Sequence, residues 1–437
     1  MSTAHTSLSF FTAFLITINT MFGSGIFINT AYLATNAGVW GFLSYICVAL
    51  VLLPLIFALA DITTKHPYGG FYQYSSASLG APWGFASAWL YFIGKLASAT
   101  LLMHVFSTIL QAVLQHSIPL HACDAVGLAL FAIINYFGLR FGTAFIISFL
   151  VLKLVPLLCI IITSILLYQD WYIPATSWHA IGTTIPSVLY AFLGFETACS
   201  ISMLIAKPEK NTARVIIGAF LFTVTITIAY QFFAFVLLNT AIMHSPSYLI
   251  IFPALLTKVS ALLAMAPATQ QTITTLLYIA TACAALGGSY GILFGNAWNL
   301  YVLAHNNHIP FGHLFTHKNI FGSPHACFII EIGVCLLHLY VTGGTAVLLQ
   351  QISVFGCIIA FTLSIIGHLT YLLSAHKEQK KIALCIGGLV SCALLMVGSL
   401  RNFIVNASLA PIIIFGMFGL IGVVLYVSAK RTRLPQF

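Results

Sequence analysis

Thr20-Met21-Phe22-Gly23-Ser24-Gly25-Ile26-Phe27 places two glycines and a serine inside a run of otherwise apolar residues. Glycine permits a helix to unwind, and a helix that restarts near Ile26 would present free backbone N–H groups and a partial positive charge to the gap. Unwound backbone is tolerated at membrane depth only where it lines a cavity or is buried in protein. The stretch therefore predicts a substrate pocket near the membrane midplane. A simple kink or a helix-packing contact is the alternative.

The composition is that of a protein embedded in a membrane. Of 437 residues, 60% are hydrophobic and 5% are charged, against roughly a quarter charged in soluble domains. The formal net charge of +9 is spread over loops rather than gathered on one helix face with aromatic residues, so nucleic acid is not an expected partner. The ten cysteines include no C-x-x-C pair and are expected to be buried as small apolar residues. No motif indicates a cofactor or a bound metal.

Runs of about 20 apolar residues predict an all-α polytopic protein, a single transporter domain over residues 1–437 with twelve transmembrane helices. An even number of spans places both termini on one side. Most Lys and Arg residues fall in loops of that side, so the positive-inside rule predicts cytoplasmic termini in a cell membrane, the bacterial inner membrane. The predicted spans are residues 9–35, 39–62, 82–115, 122–138, 142–168, 182–206, 213–239, 270–304, 324–342, 345–374, 382–399 and 408–429.

The sixth span has an interruption of its own, Gly194-Phe195-Glu196, at a depth similar to that of the interruption in the first span. Paired interruptions in corresponding spans are typical of inverted-repeat transporters with a site at the repeat interface. The N–H groups of Ser24, Gly25 and Ile26 would hold a carboxylate, and the carbonyls freed before Gly194 would hold an ammonium. This arrangement predicts a zwitterionic α-amino acid as the substrate.

Ionisable residues inside the spans are candidates for coupling and specificity. Glu196 is expected to gate the pocket or carry a proton, with a structural carboxyl as the alternative. Lys153 lies about 11 residues, roughly 16 Å, from the cytoplasmic end of its span; it would replace a coupling sodium ion, exchange a proton or pair with a buried acid. Lys95 either faces the pocket, favouring acidic or neutral substrate side chains, or pairs with Glu196 or Glu331.

A different class of function is suggested by Gly287-Gly288-Ser289-Tyr290-Gly291, which matches the G-x-S-x-G pattern of serine hydrolases. With His338 and His368 in later spans, an intramembrane hydrolase using Ser289 is an alternative. Glycines at 287, 291 and 295 recur every four residues, however, which favours a helix-packing face.

Two further alternatives have less support. The histidines between 305 and 317 do not have the spacing of an H-E-x-x-H metal site and predict a solvated loop. A sensor that binds an amino acid without moving it is the third possible function, and the lack of a soluble signalling domain argues against it.

Several segments resemble the motifs of the amino acid-polyamine-organocation permease superfamily, in particular its basic amino acid and polyamine antiporters. Residues 21–27 look like its first-helix motif, and Pro67-Tyr68-Gly69-Gly70-Phe71-Tyr72-Gln73-Tyr74 is similar to the P-x-G-G-x-Y-x-Y entry to its third helix. Further similar segments precede the fifth helix (residues 135–140), form part of the sixth helix and its following loop (192–196 and 207–211), and end the eighth helix (299–304 and 309–310).

This resemblance implies a LeuT-like five-plus-five inverted repeat with discontinuous helices 1 and 6. Residues 9–168 and 182–374 would be the two repeats, and residues 382–429 two peripheral helices. It also implies alternating access, in which the substrate shifts the balance between outward-open and inward-open states by binding them differently.

Carried over by position, the resemblance implies that Ser24 and Gly25 hold the substrate carboxylate, and that the carbonyls of Met21, Tyr190 and Leu193 hold the amine. It makes Glu196 a gating or proton-responsive carboxylate, and it makes Lys153 a lysine that stands near a lost sodium site.

The chain departs from the superfamily at two places in the eighth helix. Ser289-Tyr290 stands where the arginine-agmatine branch has a specificity tryptophan, and Ala297-Trp298 stands where Ser-Arg is frequent. The resemblance also places Lys95 in the third-helix region that lines the side-chain pocket. Ser289 and Lys95 are therefore included among the substrate-binding candidates, and a guanidinium substrate is disfavoured.

The sequence thus predicts a secondary active amino acid permease rather than an enzyme, working as an antiporter or a proton-coupled symporter. Its expected partners are a small-molecule amino acid or amine and membrane lipid, with a homodimer left open. Which amino acid or amine it carries does not follow from these motifs.

Overall fold

A computed structural model of the chain describes residues 7–23, 25–114, 118–167, 171, 181–244, 247–375, 378–406 and 409–431. The long apolar runs form helices because lipid offers no hydrogen-bond partner, so each segment must pair its own N–H and C=O groups. The α-helices of these ranges are α1 (Phe10–Met21), α2 (Gly25–Ala37), α3 (Gly41–Lys65), α4 (Gly70–Leu79), α5 (Ala81–Leu114), α6 (Leu120–Tyr136), α7 (Leu139–Leu166), α8 (Ile181–Phe192), α9 (Thr197–Ser200), α10 (Pro208–Met243), α11 (Ile251–Leu263), α12 (Pro267–His305), α13 (Gly312–Thr316), α14 (His325–Thr342), α15 (Ala346–Ser374), α16 (Gln379–Asn406) and α17 (Ala410–Arg431).

Within the described ranges, nine helical stretches are long and apolar enough to cross a membrane. They confirm an all-α polytopic membrane protein. Three features explain why they are fewer than the twelve predicted spans. The first stretch, Gly25–Lys65, contains α2 together with α3. In addition, α6 has only 17 residues and the sixth predicted span is divided between α8 and α9. The remaining stretches are Ala81–Leu114, Phe141–Leu166, Pro208–Asn239, Pro267–His305, His325–Thr342, Ala346–Ser374, Gln379–Leu400 and Ala410–Arg431.

Three short helices lie outside the predicted spans. α4 precedes α5 and is bounded by Gly69 and Gly80, whose φ angles are 89° and 91°, values that favour glycine. α11 has 13 residues and so extends only about 20 Å, too short to cross the hydrocarbon core. α13 lies in the loop that the sequence predicts to be solvated.

The centre of the protein is formed by α5, α12 and α15. Gly94 of α5 lies against Gly356 of α15 so closely that a Cβ at Gly94 would be 2.9 Å from the Gly356 Cα. Two amides of α12 reach α5: Asn296 Nδ2 donates to the carbonyl of Phe92 at 3.0 Å, and Asn299 Nδ2 donates to that of Ala88 at 2.8 Å. Small residues allow the backbones to approach, and the amides pair polar groups that lipid could not satisfy.

The repeated glycines of α12 form the helix-packing face that the sequence favours. A Cβ at Gly287 would lie 2.6 Å from the Cβ of Phe149 on α7, and one at Gly291 would lie 2.8 Å from the Oγ1 of Thr20 on α1. These positions therefore need glycine because neighbouring helices occupy the space of a side chain. They bring α12 against the helix that carries the first interruption.

Candidate functional site

The interruption predicted in the first span is present. α1 ends at Met21 and α2 begins at Gly25. Between them the Phe22 N–H donates to the carbonyl of Ile18 and the Gly23 N–H to that of Met21, both at 2.9 Å. Ser24, which is predicted to bind the substrate carboxylate, lies outside the described residues.

The second interruption lies between α8, which ends at Phe192, and α9, which begins at Thr197. Gly194 has a φ of 135°, a conformation that residues with a Cβ rarely adopt. The turn is fixed from within because the N–H of Gly194 donates to Oε2 of Glu196 at 2.7 Å. The Thr197 N–H then donates to the Gly194 carbonyl at 3.0 Å.

The two interruptions are in direct contact. A Cβ at Gly194 would lie 2.8 Å from the backbone nitrogen of Met21 and 2.9 Å from its Cα, so this glycine allows one unwound segment to rest on the other. A narrow cavity lies beside the contact. Its lining residues come from both interruptions, from α5 and from α12: Thr20, Met21, Gly23, Gly25, Ser98, Leu102, Tyr190, Ala191, Leu193 and Ile292.

Four of the predicted substrate-binding residues, Met21, Gly25, Tyr190 and Leu193, are among those that line the cavity. Ile26 is buried in the first turn of α2, next to them but not in the lining. The Tyr190 hydroxyl lies 3.0 Å from the Oγ of Ser98, which joins α8 to α5 across the cavity.

Sequence reasoning missed several lining residues. Ser98 and Leu102 come from α5, and Ile292 comes from α12. Ser98 lies three residues after Lys95. The prediction of Lys95 as a substrate-binding residue therefore identified the correct region of α5, but a different side chain reaches the cavity. No motif identifies these residues, because their position depends on how α5 and α12 pack against the interrupted helices.

Lys95 and Glu196 form a buried ion pair, one of the alternatives that the sequence left open for Lys95. The lysine Nζ lies 2.8 Å from the glutamate Oε1, and the two side chains are 2% and 0% exposed. Because the other oxygen of Glu196 accepts from Gly194, both carboxylate oxygens are engaged. Neither residue is among those that line the cavity; the pair instead fastens α5 to the second interruption.

Lys153 of α7 reaches the end of α1. Its Nζ donates to the carbonyl of Asn19 at 2.7 Å and to that of Phe22 at 2.8 Å, and its side chain is buried. The last carbonyls of a helix have no partner within it and carry a partial negative charge. The ammonium therefore satisfies backbone groups at the first interruption.

Ser289 is fully buried, and its Oγ donates to the carbonyl of Ala99 at 2.9 Å. It is not among the residues that line the cavity. The two histidines considered as partners for hydrolysis lie elsewhere: His368 Nε2 is 2.8 Å from Oδ2 of Asp61, and His338 Nδ1 is 2.9 Å from the carbonyl of Val334. The hydroxyl joins α12 to α5 and has no acid-base neighbour among these groups.

Near the end of α12, Lys318 places its ammonium 5.2 Å from the ring centre of Trp298 and 4.9 Å from that of Tyr301. Partial burial lowers the pKa of Lys318. The faces of these aromatic rings attract the ammonium. A cation therefore lies beside Trp298, in the Ala297-Trp298 segment that replaces the Ser-Arg frequent in the superfamily.

Comparison with known proteins finds a family and several transporters that this chain resembles. The model of a family described as amino acid permease matches residues 8–436. An uncharacterised transporter of Mycobacterium tuberculosis is 24% identical over 395 residues, which are 88% of this chain and 84% of that protein. A transporter of Mycobacterium bovis shows the same identity and coverage. The cadaverine/lysine antiporter of Escherichia coli is 29% identical over 209 residues, 44% of this chain and 45% of the antiporter.

Proposed function

The chain belongs to the amino acid permease family, and on this premise we propose that it is a secondary active transporter that moves an amino acid across the cell membrane by alternating access. The substrate would bind in the cavity between the two helix interruptions. The observation that carries this proposal is the contact of Gly194 with the backbone of Met21, beside a cavity lined by residues of both interruptions.

The backbone of the two interruptions supports a zwitterionic substrate. The N–H groups at the start of α2, those of Ser24, Gly25 and Ile26, would bind the carboxylate, since a helix N-terminus stabilises an anion. The carbonyls of Met21, Tyr190 and Leu193 would bind the amine. This arrangement recognises the groups that all α-amino acids share and leaves selection to the rest of the cavity.

We propose that the preferred substrates have neutral side chains. The described residues that line the cavity include no charged side chain, and Glu196, which lies near it, is already paired with Lys95. A cationic side chain would lose its hydration there without gaining a carboxylate. The Escherichia coli antiporter is named for lysine and cadaverine, so this chain would differ from that relative in selectivity.

For the architecture, we propose the five-plus-five inverted repeat, with residues 9–168 and 182–374 as the repeats and α16 and α17 at the periphery. In this arrangement α1 with α2 and α8 with α9 are the two discontinuous helices, which gives twelve crossings and cytoplasmic termini. Lys153 would stand as a fixed cation at the first interruption, so transport would need no sodium ion and would proceed by exchange or by proton coupling.

Uptake into proteoliposomes tests the proposed site. A Cβ at Gly25 would lie 3.4 Å from the Ala191 Cα and 3.5 Å from the Tyr190 ring, so alanine fits there whereas leucine would fill the cavity. Gly25→Leu is expected to abolish uptake of neutral amino acids, and Gly25→Ala to reduce it mildly. Gly416→Leu is the matched control, since a Cβ at that helical glycine meets no atom within 4 Å. Normal uptake by Gly25→Leu would show that the substrate binds elsewhere.

The same assay decides the substrate class. Wild-type protein is expected to take up neutral amino acids, and these are expected to raise its unfolding temperature in detergent, because a ligand of the folded state stabilises it. Stabilisation and uptake limited to lysine, arginine or decarboxylated amines would overturn the assignment of neutral substrates and leave the site itself intact.

A further inference from the structure

A cluster of metal-ligating side chains joins α5 to the first turns of α6, and the proposed transport cycle makes no use of it. His104 of α5 places its Nδ1 2.8 Å from Oδ2 of Asp124 on α6. His121, one turn before Asp124, places its own Nδ1 3.7 Å from the same oxygen. The ligand atoms of the three residues all lie within 4.8 Å of one another.

The buried carboxylate organises this cluster. Asp124 is fully buried, and its Oδ1 accepts a hydrogen bond from the Ser107 hydroxyl at 2.5 Å. That bond fixes the carboxylate so that Oδ2 faces both imidazoles. A hydrogen bond to the other oxygen of a ligating carboxylate is the arrangement by which proteins orient metal ligands.

The two imidazoles differ in how tightly they are held. Gly344, in the turn before α15, approaches His104 so closely that a Cβ there would lie 2.6 Å from Nε2. Nδ1 is therefore the nitrogen of His104 that faces the cluster. His121 is 63% exposed, so its ring can adjust and solvent can reach the centre of the group.

We propose that His104, His121 and Asp124 bind a zinc ion that fastens α6 to α5. Two imidazole nitrogens and one carboxylate oxygen form a ligand set typical of zinc, with water in the fourth position. At metal-ligand distances of about 2.0–2.2 Å, tetrahedral ligands lie about 3.3–3.6 Å apart. The separations of 2.8 Å and 3.7 Å from Oδ2 lie on either side of this range, and the two imidazole nitrogens lie within 4.8 Å of each other, so rotation of the side chains would close the site.

The site differs from the cavity in chemistry and location. Its ligands come from α5 and α6, whereas the cavity is lined by the two interruptions, α5 and α12. In α5, His104 lies two residues after Leu102, which lines the cavity together with Ser98, so zinc would stabilise one wall of the substrate pocket.

Zinc binding to the purified full-length protein, stripped with a chelator and held in detergent near pH 7.5, tests the proposal. Calorimetry is expected to show one zinc ion per chain, and zinc is expected to raise the unfolding temperature because it binds the folded state. His121→Ala is expected to weaken binding by at least about tenfold. This side chain is exposed, so its removal leaves the fold intact. His244→Ala removes another exposed histidine, at the end of α10, and is expected to bind zinc as the wild type does.

Cobalt gives a second readout that does not depend on stability. Cobalt bound by the wild type is expected to show the intense visible absorption of a tetrahedral site, and His121→Ala is expected to lose it. Absence of saturable zinc binding to the wild type, or equal affinity in wild type and His121→Ala, would overturn the proposal. The cluster would then be a hydrogen-bonded link between helices without a metal.

Discussion

Lys95 and Glu196 each offset the energetic cost of burying the other's charge. Each side chain is almost completely excluded from solvent, and a lone charge inside a membrane protein costs at least a few kcal/mol. The pair is satisfied because the carboxylate also accepts from the N–H of Gly194. The ion pair therefore stabilises the conformation of the second interruption.

A double-mutant cycle measures this dependence. Lys95→Met and Glu196→Gln each leave a buried polar group without its partner, and each is expected to destabilise the protein by about 3–5 kcal/mol. The double variant is expected to recover much of that loss because no unpaired charge remains. Apparent unfolding temperatures in detergent report the effect. A double variant whose loss of stability equals the sum of the two single losses would show that the pair is not a unit.

Lys153 has a comparable role at the first interruption, where it satisfies two backbone carbonyls. Lys153→Met would leave both carbonyls without this donor, at a cost of about 1–3 kcal/mol for each unpaired group. We expect sodium-free uptake to fall by at least about tenfold, which corresponds to 1.4 kcal/mol. Lys380→Met, at an exposed lysine, is the control. Unchanged uptake by Lys153→Met would contradict a role in transport.

At the scale of the element, the second interruption depends on one glycine. Gly194 combines a φ of 135° with a contact to the Met21 backbone that leaves no room for a Cβ. The adjacent helices are thereby held close enough for the cavity to have walls from both. A helical glycine with open surroundings, such as Gly416, carries no such constraint.

Gly194→Ala is accordingly expected to lower stability by more than about 1 kcal/mol, since it adds backbone strain to an overpacked contact. Uptake should fall with it, because the two interruptions are pushed apart. Gly416→Ala is expected to be neutral or mildly stabilising. Both variants can be compared by unfolding temperature and by uptake per folded protein. Equal behaviour of the two would mean that the contact between the interruptions is dispensable.

At the scale of the whole molecule, the loop charges predict orientation. The loops on the side of the termini hold most of the lysines and arginines, and the positive-inside rule places that side in the cytoplasm. Green fluorescent protein fused after Phe437 is expected to fluoresce, whereas alkaline phosphatase at the same place should be inactive. Phosphatase fused after Pro119, between α5 and α6, is expected to be active. The reverse pattern would invert the topology.

Much of the architecture follows from local composition. Long apolar runs predict helices because lipid leaves the backbone no other partner, and both interruptions are visible as glycines within such runs. The number of long apolar helices is smaller than the number of predicted spans, because two spans are interrupted and α6 has only 17 residues.

The class of protein, the positions of both helix interruptions and four of the residues that line the cavity could be predicted from the sequence, because these depend on hydrophobicity, glycine and a local motif. The packing of the helices, in contrast, is needed to learn that Lys95 pairs with Glu196, that Ser98 and Ile292 reach the cavity, and that His104 contacts Asp124. Each of these contacts joins residues of different helices. Their geometry is set by how the helices pack, for which the order of residues within one helix contains no direct signal.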